Sequence, residues 1–133
     1  MKVSLATDED RPVVQHVAQL LKDRGHEVLR VPTGAWAASA QQAARMVSGG
    51  EASMAIVCCW TGTGVSIAAN KVPGVRAALC VDAATAAGAR KWNDANVLAL
   101  SLRLLSEPLA TEIVSAFLDN AYDGTEDDSL RQL

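Results

Sequence analysis

The sequence predicts an α/β fold, a Rossmann-like three-layer α/β/α sandwich around a five-stranded parallel sheet. Three observations predict it. Short apolar runs alternate with helical patterns from one end of the chain to the other. Each apolar run is followed by a helix, which is the crossover that parallel strands need. Half of the residues are hydrophobic but only 4% are aromatic, and alanine is abundant, which suits helices packed closely on a sheet. The length favours one domain over residues 1–133.

The first half of the chain supplies three of the strands. Pro12 suits the first turn of a helix, and Gly25 suits its end. The glycine pair 49–50 ends an alanine-rich second helix in the same way. The predicted elements are strand 3–7, a helix from Pro12 to Gly25, strand 27–31, a helix of about 38–48, and strand 54–57.

The second half repeats the alternation of strand and helix. A short helix around 67–69 ends before Pro73, which cannot continue it. The remaining elements are strand 76–81, a helix from 83 to about 91, strand 97–100, and a helix from 107 to about 120. The acidic segment 123–128 is expected to be solvated.

Composition excludes several classes of function. A formal charge of −3 gives no reason to expect nucleic-acid or membrane binding. No apolar run has the length of a signal peptide or a membrane span, so we expect a cytoplasmic protein. Cys58 and Cys80 are interpreted as small buried hydrophobes of a reducing compartment. The two histidines, His16 and His26, lie far from the cysteines in sequence, so we expect no metal site.

Ligands of parallel α/β sheets bind beyond the carboxyl ends of the strands. Asp8, Cys59 and Asp82 all follow predicted strands and are candidates by position. The cluster 8–10 has two interpretations, a group of site carboxylates or, for Asp10, a cap on the first helix.

The segment 58–66 carries the strongest functional signal. Cys59 ends a strand, and Gly62 and Gly64 precede a helix. Glycines let the backbone turn tightly, and the amides at a helix start favour an anion and a thiolate. A reactive thiolate beside such amides suits chemistry on a carbonyl group.

This segment also carries a family resemblance. Residues 59–64 lead into Ile-Ala-Ala-Asn-Lys at 67–71, and the blocks 72–79 and 93–98 continue the match. In these features the chain resembles the type B ribose-5-phosphate isomerases and the galactose-6-phosphate isomerase subunits. The resemblance runs from Met1 to about Gly124, and on it the chain is identified as a divergent member.

The resemblance implies a cofactor-free aldose–ketose isomerase that moves a proton between C1 and C2 through an enediolate. It implies that Cys59 is the base. A glutamate serves this role in a subgroup, but Val65 stands at that position here. The assigned catalytic residues are Cys59, Thr61 and Asp8, and the assigned substrate-binding residues are Glu9, Trp60, Gly62, Thr63, Gly64, Trp92 and Asn93.

Several family features are missing. Glu9 follows Asp8 where the family has histidine, and Trp92 replaces the ring-opening histidine. Residues 35–38 replace an Asp-Tyr-Pro motif, and the acidic C-terminus offers only Arg131 where two arginines bind phosphate. The cations that remain as phosphate ligands are Arg76, Arg90, Lys91 and Arg103.

An indole donates a proton in a hydrogen bond but cannot shuttle one, so ring opening lacks an acid–base group. We therefore expect a short or acyclic substrate such as a tetrose phosphate. Trp60 and Trp92 either narrow its pocket or merely pack.

The resemblance implies a homodimer or homotetramer whose sites borrow residues near 91–96 from the partner. Two alternatives stay open. The chain is a subunit that needs a paralogous partner to complete its sites, or it binds a sugar phosphate without catalysis.

Overall fold

Five parallel strands form one sheet in the order β2-β1-β3-β5-β4 in the computed structural model, which describes all 133 residues. The strands are β1 Lys2–Thr7, β2 Glu27–Arg30, β3 Met54–Cys59, β4 Ala77–Leu79 and β5 Val97–Ser101. The helices are α1 Pro12–Asp23, α2 Trp36–Ser48, α3 Thr63–Asn70, α4 Ala83–Asn93, α5 Glu107–Asp119 and α6 Asp127–Leu130. The predicted three-layer α/β fold is confirmed.

Helices cover both faces of the sheet. Alternate residues of a strand point to opposite faces, and this alternation divides the core into two clusters. Helices α1, α4 and α5 pack on one face, around Leu5, Ile56 and Phe117. Helices α2 and α3 pack on the other, around Ala43 and Val57. Cys58 therefore faces the first cluster, and Cys59 faces the second.

The chain changes direction across the sheet at β1. It runs from β1 outward to β2, then returns to place β3 on the other side of β1. Such a reversal opens a crevice beyond the carboxyl ends of the two inner strands. Thr7 pairs with Cys58, and the Asp8 N–H donates to the Cys58 carbonyl at 3.3 Å. The residues that follow β1 and β3 therefore meet at this crevice.

Two local predictions need correction. Asp10 is not the cap of α1, because Arg11 occupies that position and no side chain caps the helix. Asp10 instead pairs with Arg30, and its other carboxylate oxygen accepts from Thr33 at 3.1 Å. Strand β4 is shorter than predicted, since the chain turns at Cys80 towards Asp82, which caps α4 by accepting from the Thr85 N–H.

The acidic C-terminal segment is not wholly irregular. It contains the short helix α6, and the Tyr122 hydroxyl donates to Asp127 there at 2.7 Å. Asp127, Asp128 and Ser129 of this helix are exposed, as the charge of the segment predicts.

The free edge of β4 is occupied by one side chain. The Ala77 N–H donates to Asn70 Oδ1 at 2.8 Å, and Asn70 Nδ2 donates to the Ala77 carbonyl at 2.9 Å. The amide of Asn70 thus pairs with Ala77 as a neighbouring strand would. No helix has the length and apolar character needed to cross a membrane.

Candidate active site

Cys59 lies at the carboxyl end of β3, at the bottom of a cavity of about 360 Å³. Its side chain faces α2 and α3, and only 6% of the residue is exposed. The cavity therefore gives this thiol its route to a ligand. Seven residues line it: Asp8, Trp36, Cys59, Trp60, Thr61, Thr63 and Gly64.

Gly62 makes the tight turn from β3 into α3. Its φ of +79° is left-handed, a conformation that side chains disfavour. A Cβ there would lie 2.5 Å from Leu79 Cδ1 and 3.0 Å from the Leu100 carbonyl oxygen. Position 62 therefore requires glycine for both conformation and space.

The turn leaves the first amides of α3 free beside the thiol. The first hydrogen bond of this helix runs from the Ser66 N–H to the Gly62 carbonyl, and no side chain caps the helix. The N–H groups of residues 63–65 consequently lack helical acceptors. Thr63 and Gly64 line the cavity, so their amides and the helix dipole favour negative charge there.

Trp36 forms a wall of the cavity, a position that was not predicted for it. It begins α2, two residues earlier than predicted, and its ring lies against Gly64. A Cβ at Gly64 would stand 3.0 Å from Trp36 Cε3. This close contact explains why position 64 is a glycine. No pattern in the sequence links Trp36 to Gly64, which lies 28 residues further along the chain.

Trp60 is held by its backbone and leaves its ring half exposed. Its carbonyl accepts hydrogen bonds from Ser101 Oγ at 3.1 Å and from the Arg103 N–H at 3.0 Å. The Arg11 guanidinium carbon lies 5.0 Å from the centre of the Trp60 ring. The nearby hydroxyls of Thr61 and Thr63 are 2.9 Å apart and share a hydrogen bond.

The remaining predicted site residues lie outside this cavity. Glu9 adjoins it in the loop after β1, where its carboxylate is 3.2 Å from Arg11. Trp92 and Asn93 line a separate hollow of about 550 Å³ on α4 and β4. The Trp92 ring rests on Gly88, where a Cβ would meet it at 2.6 Å. Within one chain, therefore, Trp92 and Asn93 do not join Cys59.

The cations named as phosphate ligands divide into two kinds. Arg76 and Arg90 form ion pairs with Asp94 at 3.2 Å and 3.6 Å, and so hold the turn after α4. The side chains of Lys91 and Arg103 form no ion pair. Arg103 follows β5 at the carboxyl edge of the sheet, and its backbone N–H donates to the Trp60 carbonyl.

Neither histidine reaches the cavity. His16 Nε2 is hydrogen-bonded to Thr111 Oγ1 at 2.7 Å, and His26 Nδ1 is 3.1 Å from the N-terminal amino group. No group of three or more His, Cys, Asp or Glu side chains is arranged to hold a metal ion. The cavity of one chain therefore offers a thiol, a carboxylate and hydroxyls, but no imidazole.

Comparison with known proteins agrees with this geometry. The sequence model of the family described as Ribose/Galactose Isomerase matches residues 3–132. The chain is 37% identical over 131 residues to ribose-5-phosphate isomerase B of Escherichia coli, covering 92% of this chain and 87% of that protein. It is 34% identical over 133 residues to galactose-6-phosphate isomerase subunit LacB of Clostridium acetobutylicum, covering 96% and 77%.

A third relative matches over a shorter region. The D-erythrulose-4-phosphate isomerase of Pectobacterium atrosepticum is 44% identical over 81 residues, which cover 61% of this chain and 53% of that protein. Among solved structures, ribose-5-phosphate isomerase B of Clostridium thermocellum superposes with a TM-score of 0.95 at 37% identity. That superposition covers 99% of this chain and 94% of the other.

Proposed function

Because this chain belongs to the ribose/galactose isomerase family, we propose that it interconverts an aldose phosphate and the corresponding ketose phosphate through an enediolate. One observation supports the proposal above the others. The Cys59 thiol shares a cavity with the free amides at the start of α3. A base and anion-stabilising donors are the two elements that enediolate chemistry requires.

The proposed reaction is two proton transfers at carbon. The Cys59 thiolate removes the proton from C2 of the open-chain aldose, and the electron pair moves onto the carbonyl oxygen at C1. The amides of Thr63 and Gly64 stabilise the oxyanion that forms. The resulting thiol then returns a proton to C1, while the oxygen at C2 becomes the carbonyl. We assign Asp8 and Thr61 to the proton exchange between the two oxygens, since both line the cavity.

Replacing the thiol tests this chemistry. In a Cys59→Ser variant we expect kcat to fall about 100- to 10,000-fold, because a serine hydroxyl is a much weaker base at neutral pH. Exchange of solvent deuterium into recovered substrate falls with it. The matched control is Cys80→Ser, since Cys80 is buried on the other sheet face. Equal activity of the two variants, with both folded by circular dichroism, rules out Cys59 as the base.

We further propose that the substrate is a four-carbon 4-phosphate. Neither histidine lies in the Cys59 cavity, so no imidazole of this chain can open a sugar ring there. A tetrose 4-phosphate cannot close a furanose ring, because its O4 is esterified. The match to a D-erythrulose-4-phosphate isomerase supports the same substrate class.

A direct comparison of substrates tests this specificity. We expect kcat/KM to be at least about tenfold higher for D-erythrose 4-phosphate or its stereoisomer L-erythrose 4-phosphate than for D-ribose 5-phosphate, since only the latter must open a ring. The products, ribulose 5-phosphate and erythrulose 4-phosphate, are measured by a coupled enzyme assay or by chromatography. A preference for ribose 5-phosphate contradicts the proposal on chain length and leaves the proposed isomerase chemistry standing.

We propose that the working form is a homodimer or a homotetramer whose sites are shared between chains. Trp92 is 53% exposed and Ile67 is 61% exposed, although both are large apolar side chains. Pairing with a second copy would cover them and bring Trp92 and Asn93 to a Cys59 cavity. A paralogous partner is the alternative, favoured by the likeness to a protein named as an isomerase subunit. The three free thiols favour a cytoplasmic location.

A further inference from the structure

The loops after the five strands contain only two positive side chains. They are Arg11, between β1 and α1, and Arg103, between β5 and α5. Arg30 ends β2, but Asp10 already neutralises it at 3.0 Å. Within one chain, therefore, only Arg11, Arg103 and backbone amides are placed to attract an anionic part of a ligand that enters from the carboxyl edge of the sheet.

Arg11 is joined to the cavity through Trp60. The Arg11 guanidinium lies over the indole ring of Trp60, 5.0 Å from the ring centre. Trp60 in turn lines the cavity beside Cys59. Stacking on an aromatic face orients the planar fork of an arginine. Arg11 itself lines a neighbouring hollow of about 560 Å³ with Asp10 and Gln15, so its guanidinium stands beside the Cys59 cavity, against the wall that Trp60 forms. We call this position the rim of the cavity.

The hydrogen bonding of Arg11 is incomplete. One terminal nitrogen contacts both carboxylate oxygens of Glu9 at 3.2 Å. The Nε–H is buried and has no acceptor, and it is the one buried side-chain nitrogen or oxygen in the chain without a partner. A buried donor without an acceptor is costly, so this arrangement favours movement of the fork onto a better acceptor.

Glu9 is a weak and replaceable partner. Its side chain is 55% exposed, so water screens its attraction to Arg11. A phosphate offers three oxygens with nearly two negative charges, and it accepts two parallel N–H bonds from one guanidinium. A phosphate at the rim therefore competes well with the Glu9 carboxylate.

We infer that Arg11 is the residue that binds the phosphate of the substrate, and that Glu9 occupies the guanidinium until the phosphate displaces it. The inference rests on the proposed function and adds a specificity-determining residue to it. The reacting carbons lie at Cys59, and the phosphate lies several bonds away at the rim, on the guanidinium that Trp60 supports. Glu9 then acts on phosphate affinity through Arg11 rather than by touching the phosphate.

The first test is kinetic, with the full chain and D-erythrose 4-phosphate. In Arg11→Met we expect KM to rise about 10- to 100-fold while kcat changes less than about threefold, because the lost charge-assisted bonds lie away from the reacting carbons. Arg11→Lys gives an intermediate KM, since it keeps the charge without the fork. Glu9→Gln lowers KM by about twofold or more, because the competing carboxylate is gone.

Lys22→Met is the matched control. It removes one positive charge from the exposed last turn of α1, roughly 16 Å along the helix from Arg11. We expect its KM to equal that of the wild type. Arg103→Met is measured alongside. If Arg103→Met raises KM and Arg11→Met does not, Arg103 binds the phosphate and the inference is overturned.

The second test does not need turnover. Inorganic phosphate is titrated into each variant by calorimetry, with thermal unfolding as the check on folding. We expect Arg11→Met to weaken phosphate binding about tenfold or more and Glu9→Gln to strengthen it. Absence of isomerase activity in the wild-type protein refutes the proposed function, yet this titration still tests Arg11. Normal isomerase activity with unchanged KM and phosphate affinity in Arg11→Met refutes the inference alone.

Discussion

The thiols of Cys58 and Cys80 are held in their protonated form by burial. Burial raises the pKa of Cys58 to about 12 and that of Cys80 to about 11. The Cys80 thiol also donates to the Ala78 carbonyl at 3.6 Å. Both side chains belong to the core cluster that α1, α4 and α5 cover. Cys59, one residue along β3, faces the other way and lines the cavity. Alternation along a strand therefore separates a thiol of the core from a thiol that lines a cavity.

These buried thiols predict a loss of stability at alkaline pH. Above about pH 9 the unfolded chain releases its thiol protons, while folded Cys58 and Cys80 keep theirs up to about 12 and 11. The native state then binds more protons, so the free energy of unfolding falls as pH rises, by at most about 1.4 kcal/mol per thiol per pH unit. Urea unfolding at pH 8, 9 and 10 measures this fall.

A Cys58→Ala/Cys80→Ala variant is the control for that experiment. It starts less stable, because two buried side chains are shortened. Its decline between pH 9 and pH 10 is nonetheless shallower, since neither thiol remains to titrate. Parallel declines in the two proteins contradict the assignment of alkaline sensitivity to these cysteines.

At the scale of single residues, the sequence predicted which thiols are buried but missed residues whose position depends on contacts with distant neighbours. Cys58 and Cys80 were predicted to be small buried hydrophobes, and this is confirmed. Arg11 and Trp36 were not foreseen. Their importance comes from what they touch, Trp60 and Gly64, and those neighbours are distant in sequence. The capping role considered for Asp10 was wrong, because Arg11 is the N-cap residue of α1 and the Asp10 carboxylate accepts from Arg30 and Thr33 instead.

Among the elements, the junction of β3 and α3 leaves no room for a side chain at Gly62. Gly62 combines a left-handed backbone with a Cβ position that Leu79 and the Leu100 carbonyl already occupy. Gly74 is the useful contrast, since its φ is +83° but nothing lies within 4 Å of a Cβ there. The two glycines share the left-handed backbone conformation, but only Gly74 has room for a Cβ atom.

The pair predicts two different costs for the same substitution. Gly74→Ala pays only for the left-handed conformation, about 1–2 kcal/mol of unfolding free energy. Gly62→Ala adds overpacking, for about 2–5 kcal/mol in total, and lowers activity by displacing the amides beside Cys59. Chemical denaturation and kcat/KM measure both variants. Equal destabilisation by the two substitutions contradicts the close packing at Gly62.

Element order was readable from the sequence, whereas element ends were not. All five strands and the five longer helices lie where alternation predicted them. Helix α3 begins at Thr63, inside the glycine-rich segment, because Gly62 turns the chain earlier than the apolar pattern indicates. Helix α6 escaped prediction because it is short, polar and exposed, so no hydrophobic periodicity marks it.

For the whole molecule, the strand order decides which loops can cooperate. Strands β1 and β3 are neighbours, so Asp8 meets Cys59. Trp92 and Asn93 are the last two residues of α4. They line a separate hollow beside β4, which is the edge strand farthest from β2. Their assignment to the site stays a prediction, and it requires that a second copy of the chain bring them to the Cys59 cavity. No pattern within one chain reveals such an arrangement, because it depends on how two surfaces meet.

Mixing two inactive variants tests whether sites are shared. Cys59→Ser lacks the base, and Trp92→Ala lacks the proposed partner contribution. If each site combines Cys59 of one chain with Trp92 of the other, a mixed dimer contains one intact site. Random exchange after mild unfolding and refolding then restores about a quarter of wild-type activity. Sedimentation gives the oligomeric state in parallel. A monomer, or a mixture no more active than its components, contradicts the shared site.

The pairing of Asn70 with Ala77 bears on whether the edge of the sheet can associate with other molecules. The outer strands of an open sheet can recruit strands from other molecules and so seed aggregates. Charged Glu27 and Arg30 at the ends of β2 discourage such recruitment at one side of the sheet. At the other side, the carboxamide of Asn70 fills the hydrogen-bonding positions of Ala77. The last residue of α3 thus occupies backbone groups that a strand of another molecule would need for pairing.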